Sequence, residues 1–362
     1  MLTLPYYFSL THSFEYLLIY SFENFLYCIL VYRWQAVGFV HGVLNTDNMS
    51  IMGLTVDYGP YAFEEHFDPD FTPNGSDGGG RYTYARQPAM CKWNLQKLSQ
   101  ALSVHLPDNT ETELLNTAWD KTYNEMYSKF MHQKFGLLTV QPGDKELIEN
   151  YFTVLAETKT DFTDSFQALT EYAEDDKSDK DNLLENLISR GASPSEQEAM
   201  LRRKMKIHRL GMQPNQIQQI WDVIQNNPKQ AVEMFGGAPI EAITAEIEGE
   251  KRNLDRQMKA YSDINKLQEL SPTQLKSDNK NKWSEFLVKY YGRLSFEWKT
   301  PEDRIMSAKI MRENNPTFVL RNWILQDAIE AAEKGNYDEV SLPINLFFTY
   351  FYTLLRSLVS FS

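Results

Sequence analysis

Two cysteines in 362 residues, Cys28 and Cys91, are too few and too far apart to staple a fold. No CxxC pair occurs, so thiolate zinc spacings are excluded, and the two thiols read as reduced side chains without a structural disulfide. Positive charge is also scarce: 36 Lys and Arg stand against 49 Asp and Glu, a net charge of −13. That balance argues against nucleic acid or an anionic membrane as a general partner, since both demand clustered cations. Long uncharged runs are missing as well. Residues 1–33 are aromatic and apolar, but Glu15 and Glu23 interrupt them, and the run Leu346–Leu355 stops at Arg356. Neither provides the ~18 residues a membrane span needs, so no membrane partner is expected. The first segment has no basic stretch ahead of its apolar run, as a signal peptide would, and is not Arg-rich like a mitochondrial leader. Finally, no lysine precedes His41, and Gly38 is the one glycine there.

What is present is a 42% apolar chain, enough for a core in one large domain or two smaller ones. Its centre of interest is His41-Gly42-Val43-Leu44-Asn45-Thr46-Asp47-Asn48-Met49-Ser50, followed by Ile51 to Gly59. Met49–Met52 and Leu54–Val56 read as the two strands of a tight hairpin turning at Gly53. Such a hairpin holds Asp47 and Asn48 at its entry and Asp57 at its exit, so the three side chains converge. Two carboxylates and an amide carbonyl are hard oxygen donors and suit Mg²⁺.

The spacing matches a protein-kinase pattern. His41 and Asn48 are separated like the His and Asn of H-R-D-x-x-x-x-N, and Asp57-Tyr58-Gly59 stands where D-F-G would. The departure is Val43, which occupies the usual base position and cannot take a proton. Asp47 is the nearby carboxylate.

With that departure, HGVLNTDNMS, DYGPYAFEEHFDPDF, GRYTYARQPAMCKWNLQKL and the later NPTFVLRN closely resemble the selenoprotein O family, over about Trp34 to Val340. The resemblance implies a kinase-like fold and a protein adenylyltransferase that moves AMP from ATP to Ser, Thr or Tyr hydroxyls of protein substrates. By that likeness Asp47 corresponds to the general base. Asn48 and Asp57 correspond to Mg²⁺ ligands, with Asp57 also close to the nucleotide. A mitochondrial location is implied by the resemblance alone.

A kinase-like enzyme also needs a Gly-rich loop and a phosphate-clamping Lys ahead of its catalytic loop. Residues 1–40 offer neither. The expected architecture is therefore mainly α with a small β hairpin: a kinase-like C-lobe with the N-lobe missing. The division is an atypical apolar segment at 1–33, the C-lobe at 34–170, a helical extension at 171–340 and an atypical apolar tail at 341–362. Three functions follow: the adenylyltransferase, weakened by the missing clamp; a non-catalytic helical interaction protein; and an ordinary phosphotransferase, which Val43 disfavours.

The remaining chain reads as helices. Apolar spacing and caps place them at Met90–Ala101, Leu114–Phe135, Asp144–Thr158 and Phe166–Tyr172, then Asn182–Ser189, a helix capped by Ser193, Gln213–Gln225 and Asn227–Phe235. A polar, peripheral helix runs from Pro239 to Lys259, followed by Trp283–Tyr291, Pro301–Glu313 and Pro316–Glu333. Residues 61–84 form an acidic loop with Gly78-Gly79-Gly80, in the place of a kinase activation segment. Trp93, Trp119, Trp221, Trp283 and Trp323 read as core, His132 as a solvated or capping residue, and His41, His66, His105 and His208 as carrying no chemistry. The basic run Arg202 to Lys206 reads as a solvated face or a partner for the acidic stretch Glu174–Asp181.

Overall fold

The computed structural model describes residues 25–102, 110–175, 179–205 and 213–337. Expectations for residues 1–24, the tail from Ser341, His105, His208 and Lys206 lie outside them. The described chain is mostly helical with one two-stranded antiparallel sheet. Helix α1 covers residues 25–37 and runs unbroken across position 33. Strand β1 (Phe39–Val40) pairs with β2 (Ala62–Phe63), with Phe39 opposite Phe63 and Val40 opposite Ala62. Then come α2 (Gln87–Leu102), α3 (Thr110–Lys134), α4 (Asp144–Thr158), α5 (Phe162–Glu174), α6 (Lys180–Ser189) and α7 (Pro194–Lys204). They are followed by α8 (Pro214–Asn226), α9 (Pro228–Met234), α10 (Ile240–Glu269), α11 (Pro272–Glu297), α12 (Pro301–Asn314) and α13 (Asn322–Glu333).

The helix starts follow local chemistry. Ser193, Ser271 and Thr300 each cap the N–H three residues on, receive a side chain back from Glu196, Gln274 and Asp303, and precede a proline at the first helical position. Three expectations need correction. The two-stranded sheet is built from β1 and β2, not from Met49–Met52 and Leu54–Val56. Helices α10 and α11 are much longer than their apolar spacing suggests. Pro316 to Arg321 is not helical: a proline disfavours helix in the residue before it, and Arg321 is the N-cap of α13.

Apolar faces meet in two principal cores. One joins α1, β1, α2 and α3 through Tyr27, Val31, Trp34, Leu44, Leu95 and Trp119. The other joins α3 to α6, α11 and α12 around Phe135, Tyr151, Phe166, Trp283 and Tyr290. Ile217, Ile224, Ile243 and Ile247 form a smaller cluster of α8 and α10. Trp119 and Trp283 are core as expected, but Trp93 is 37% exposed and Trp323 54% exposed. Trp93 is covered instead by cations, with the Arg81 guanidinium 4.5 Å and the Lys97 ammonium 5.2 Å from its ring centre. Cys28 and Cys91 are free and buried; burial pushes the Cys28 thiol up to about 12, and the Cys91 thiol upward too. No described helix is long and apolar enough to cross a membrane.

His132 is neither solvated nor a cap. It is buried, with Nδ1 2.7 Å from Ser128 O and Nε2 2.9 Å from Asp144 Oδ2. Arg293 of α11 completes the junction, its Nε 2.5 Å from Asp144 Oδ1 and its Nη1 2.5 Å from Glu297 Oε1. Burial works to raise the Asp144 carboxyl, but hydrogen bonds from Arg293, the Gln141 N–H and His132 outweigh it and hold the group below the ordinary carboxylate range. A carboxyl depressed on folding stabilises above its unfolded value, near pH ~4, and that contribution is lost as pH falls through the folded value. Denaturation of Arg293→Met should show a loss of about 3–5 kcal/mol at pH 7, because Asp144 and Glu297 are left buried without their cation. The gap between variant and parent should narrow below pH ~4.

Candidate functional site

The stretch between β1 and β2 has little backbone pairing of its own, so its polar groups must be satisfied by other means. Side-chain amides do this. Gln87, at the start of α2, donates from Nε2 to Phe39 O at 2.8 Å and accepts the His41 N–H at 2.8 Å. Asn74 Nδ2 donates to Gly42 O at 3.1 Å, Asn48 Nδ2 to Val43 O at 2.8 Å and Asn94 Nδ2 to Leu44 O at 3.0 Å. Asn45 accepts the Asn48 N–H, starting the single 3₁₀ turn Thr46–Asn48. Gly42 is irreplaceable by geometry: φ is +80°, and a Cβ would lie 2.5 Å from Pro60 O.

The expected hairpin is a tight loop with one antiparallel bridge, Met49 to Thr55. Ser50 N donates to Leu54 O at 2.9 Å and Val56 N to Asn48 O at 2.9 Å. Helix α1 grips it from one side: the Tyr27 hydroxyl lies 2.6 Å from Ser50 O and 2.9 Å from Leu54 O, and Leu26 packs on Gly53. The apolar run does not bury itself as paired strands would. Ile51, Met52, Leu54 and Val56 are 63%, 67%, 62% and 66% exposed. The bridge nevertheless sets Asn48 against Val56, so that Asp47 and Asp57 flank the bonded pair.

His41 is fully buried beneath this loop. Its Nδ1 accepts the Val43 N–H at 3.3 Å, which puts the proton on Nε2, 2.6 Å from Thr55 Oγ1. The Thr55 hydroxyl is then free to donate to Asn48 O or Asp57 O, each 3.1 Å away. One histidine and one threonine thus tie together the backbones that carry Asn48 and Asp57. Burial lowers the His41 pKa to about 4, against smaller opposing effects of backbone hydrogen bonding and Asp57, so the ring is neutral at pH 7. This agrees with a packing role.

Asp47 and Asp57 are exposed, and neither carboxylate bonds to another described side chain or N–H group. With Asn48 Nδ2 engaged by Val43 O, its Oδ1 is unspent. The donor set of two carboxylates and an amide oxygen fits a hard cation such as Mg²⁺. Among the described residues, no three His, Cys, Asp or Glu side chains gather as a metal-binding group. Reading the sequence locally misses Gln87, Asn74, Asn94, Thr55 and Tyr27, because each is fixed by a contact between segments and none by a motif.

The family model described as Protein adenylyltransferase SelO matches residues 5–345, wider at both ends than the quoted motifs suggest. The chain is 37% identical over 322 residues to "Protein adenylyltransferase SelO, mitochondrial" of Mus musculus, covering 88% of this chain and 45% of that protein. It is 35% identical to the Homo sapiens protein of the same name, again over 88% of this chain and 45% of the relative. It is 42% identical to "Protein nucleotidyltransferase YdiU" of Vibrio vulnificus strain CMCP6, over 45% of this chain and 33% of that protein. The chain belongs to the SelO family of protein adenylyltransferases. It spans about 45% of the length of the mammalian relatives it matches.

Two outcomes check the site. The His41 ring signals, followed by NMR, should show no titration between pH 8 and about pH 5, given its pKa of about 4. Because the unfolded ring takes its proton near 6.5, His41 favours folding above that pH and the benefit is lost as pH falls toward 4. Thr55→Val keeps the shape but strands the buried His41 Nε2–H, and should cost about 1–3 kcal/mol in chemical denaturation.

Proposed function

We propose that this chain carries the catalytic corner of a Mg²⁺-dependent protein adenylyltransferase. AMP passes from ATP to a Ser, Thr or Tyr hydroxyl of a protein substrate. What supports this reading is the bridged loop, on which Asp47 and Asp57 flank the Val56 N–H bond to Asn48 O and the Asn48 Oδ1 is unspent. Asp47 orients the acceptor hydroxyl and takes its proton. The hydroxyl oxygen bonds to the α-phosphorus, the bond from that phosphorus to the bridging oxygen of the β-phosphate breaks, and pyrophosphate leaves. Asn48 and Asp57 would hold Mg²⁺, which would supply neutralisation of charge on the phosphates. The fold assignment that accompanies this reading is a kinase-like C-lobe at 34–170 with a helical extension at 171–340, between distinct segments at 1–33 and 341–362. Nucleic acid is not a partner in this reading, in line with the net charge of −13. The mammalian relatives are named mitochondrial, and we carry that location over as part of the proposal.

One observation favours a second reading, a non-catalytic helical interaction protein of the pseudokinase type. Residues 1–40 contain no lysine. That stretch therefore offers no lysine to clamp ATP phosphates. Incubation with ATP labelled at either phosphate separates the readings. Adenylyl transfer puts α-phosphate label on protein and leaves γ-label in pyrophosphate, whereas kinase action puts γ-label on protein. Asp47→Asn should lower the α-label rate by about a hundredfold or more, and Asp57→Ala should abolish it. No label from either position, in a chain shown to be folded, supports the interaction protein.

A further inference from the structure

The acidic segment ends in Asp77-Gly78-Gly79-Gly80, all buried, and helix α10 lies across it. At Gly79 a Cβ would come within 2.9 Å of Gly249 Cα, so only glycine lets the two backbones approach this closely. From that crossing α10 sends two arginines along the segment. Arg252 Nε donates to Gly79 O at 3.1 Å, and Arg256 Nη2 donates to Asp70 O at 3.1 Å. Arg256 lies over Gly80, which has φ +59° and no side chain to displace the guanidinium. Arg81 and Arg86 follow the segment directly in the chain. Burial lowers the pKa of Arg252 first, and the nearby charges of Arg86 and Arg81 lower it further.

Among the described residues, these four arginines have one ion pair between them. Glu248 reaches Arg252 at 3.5 Å. Both Asp77 oxygens are spent on the N–H groups of Arg81 and Tyr82, at 2.8 and 2.9 Å. The acids farther back, Glu64 and Asp68, belong to another cluster, in which Asp68 lies 2.5 Å from Lys204 Nζ. That contact also gives the basic end of α7 a different partner from the expected Glu174–Asp181 stretch. Three buried guanidinium nitrogens, Arg86 Nε and Arg256 Nε and Nη1, have no acceptor among the described residues. A single orphaned donor is ordinary, but three within one set of like charges mark a place for an anion.

We infer that Arg86, Arg252 and Arg256, with Arg81 beside them, bind a phosphate-class anion at the Gly78–Gly80 loop. Guanidinium forks match phosphate oxygens two at a time, and Arg is the residue suited to that geometry. The anion would pin the segment to α10. Asn74, a few residues earlier in the same segment, bonds to Gly42 O, so pinning is passed to the loop that carries Asp47 and Asn48. The inference stands without the adenylyl-transfer reading, because its residues are separate from Asp47, Asn48 and Asp57.

The test is calorimetric titration of the full chain with inorganic phosphate, against chloride at matched ionic strength. Saturable binding is expected, weakened about tenfold by Arg86→Gln and by Arg256→Gln, and unchanged by the exposed Arg312→Gln. Asp57→Ala should also leave it unchanged, which keeps failure here distinct from failure of the metal corner. Metal-free ATP forms the second arm. Tighter binding with the same sensitivity to the arginine variants identifies a polyphosphate as the source, and binding of phosphate alone identifies the free ion. If Arg256→Gln does not fold, Arg256→Lys keeps the charge without the fork and should still bind less tightly. In the parent chain, phosphate should slow hydrogen exchange at the Arg81 and Tyr82 amides. Absence of saturable binding, equal affinity in the folded arginine variants, or unchanged exchange would each overturn the inference.

Discussion

A backbone segment that cannot pair with itself must still satisfy its N–H and C=O groups, and between Phe39 and Asn48 it does so on carboxamides. Gln87, Asn74, Asn48 and Asn94 are bound to Phe39, Gly42, Val43 and Leu44, and Gln87 also takes the His41 N–H. Carboxamides suit this task because each can donate and accept without carrying charge into the interior. The donors come from α2, from the acidic segment and from the loop itself. The position of the candidate corner is consequently shared among three parts of the fold.

Beneath those ties lies the His41–Thr55 pair, which joins the two ends of the bridged loop. A neutral ring is required here. A charged imidazole would need a counter-ion in a buried place, and both of its nitrogens would then be donors, in conflict with the Val43 N–H facing Nδ1. The candidate carboxylates Asp47 and Asp57, by contrast, are exposed.

Much of the fold was legible because local rules govern it. Asp144 to Thr158 was read to the residue, and Ser193-Pro194-Ser195-Glu196 declares a capped start. The misreadings share a cause. Long α10 and α11 carry polar residues at buried positions, such as Glu250, Asn253, Asn279 and Arg293, so an apolar count cuts them short. His132 looks solvated until Asp144 and Arg293 arrive from other helices. Trp93 looks like core because a cation can cover an indole as well as an aliphatic side chain can. For the candidate site, the string from His41 to Gly59 singles out Asp47, Asn48 and Asp57 as candidates on one loop. It misdrew the hairpin, since apolar strand spacing is also what an exposed loop gripped by Tyr27 can show.

Hydrogen exchange in Gln87→Leu tests most directly whether side-chain amides hold the corner. The account expects faster exchange at the His41, Asn48 and Val56 amides, with α4 and α5 still protected. Parent-like protection of those three amides in the folded variant would contradict it, and would mean that the loop keeps its shape without the ties described.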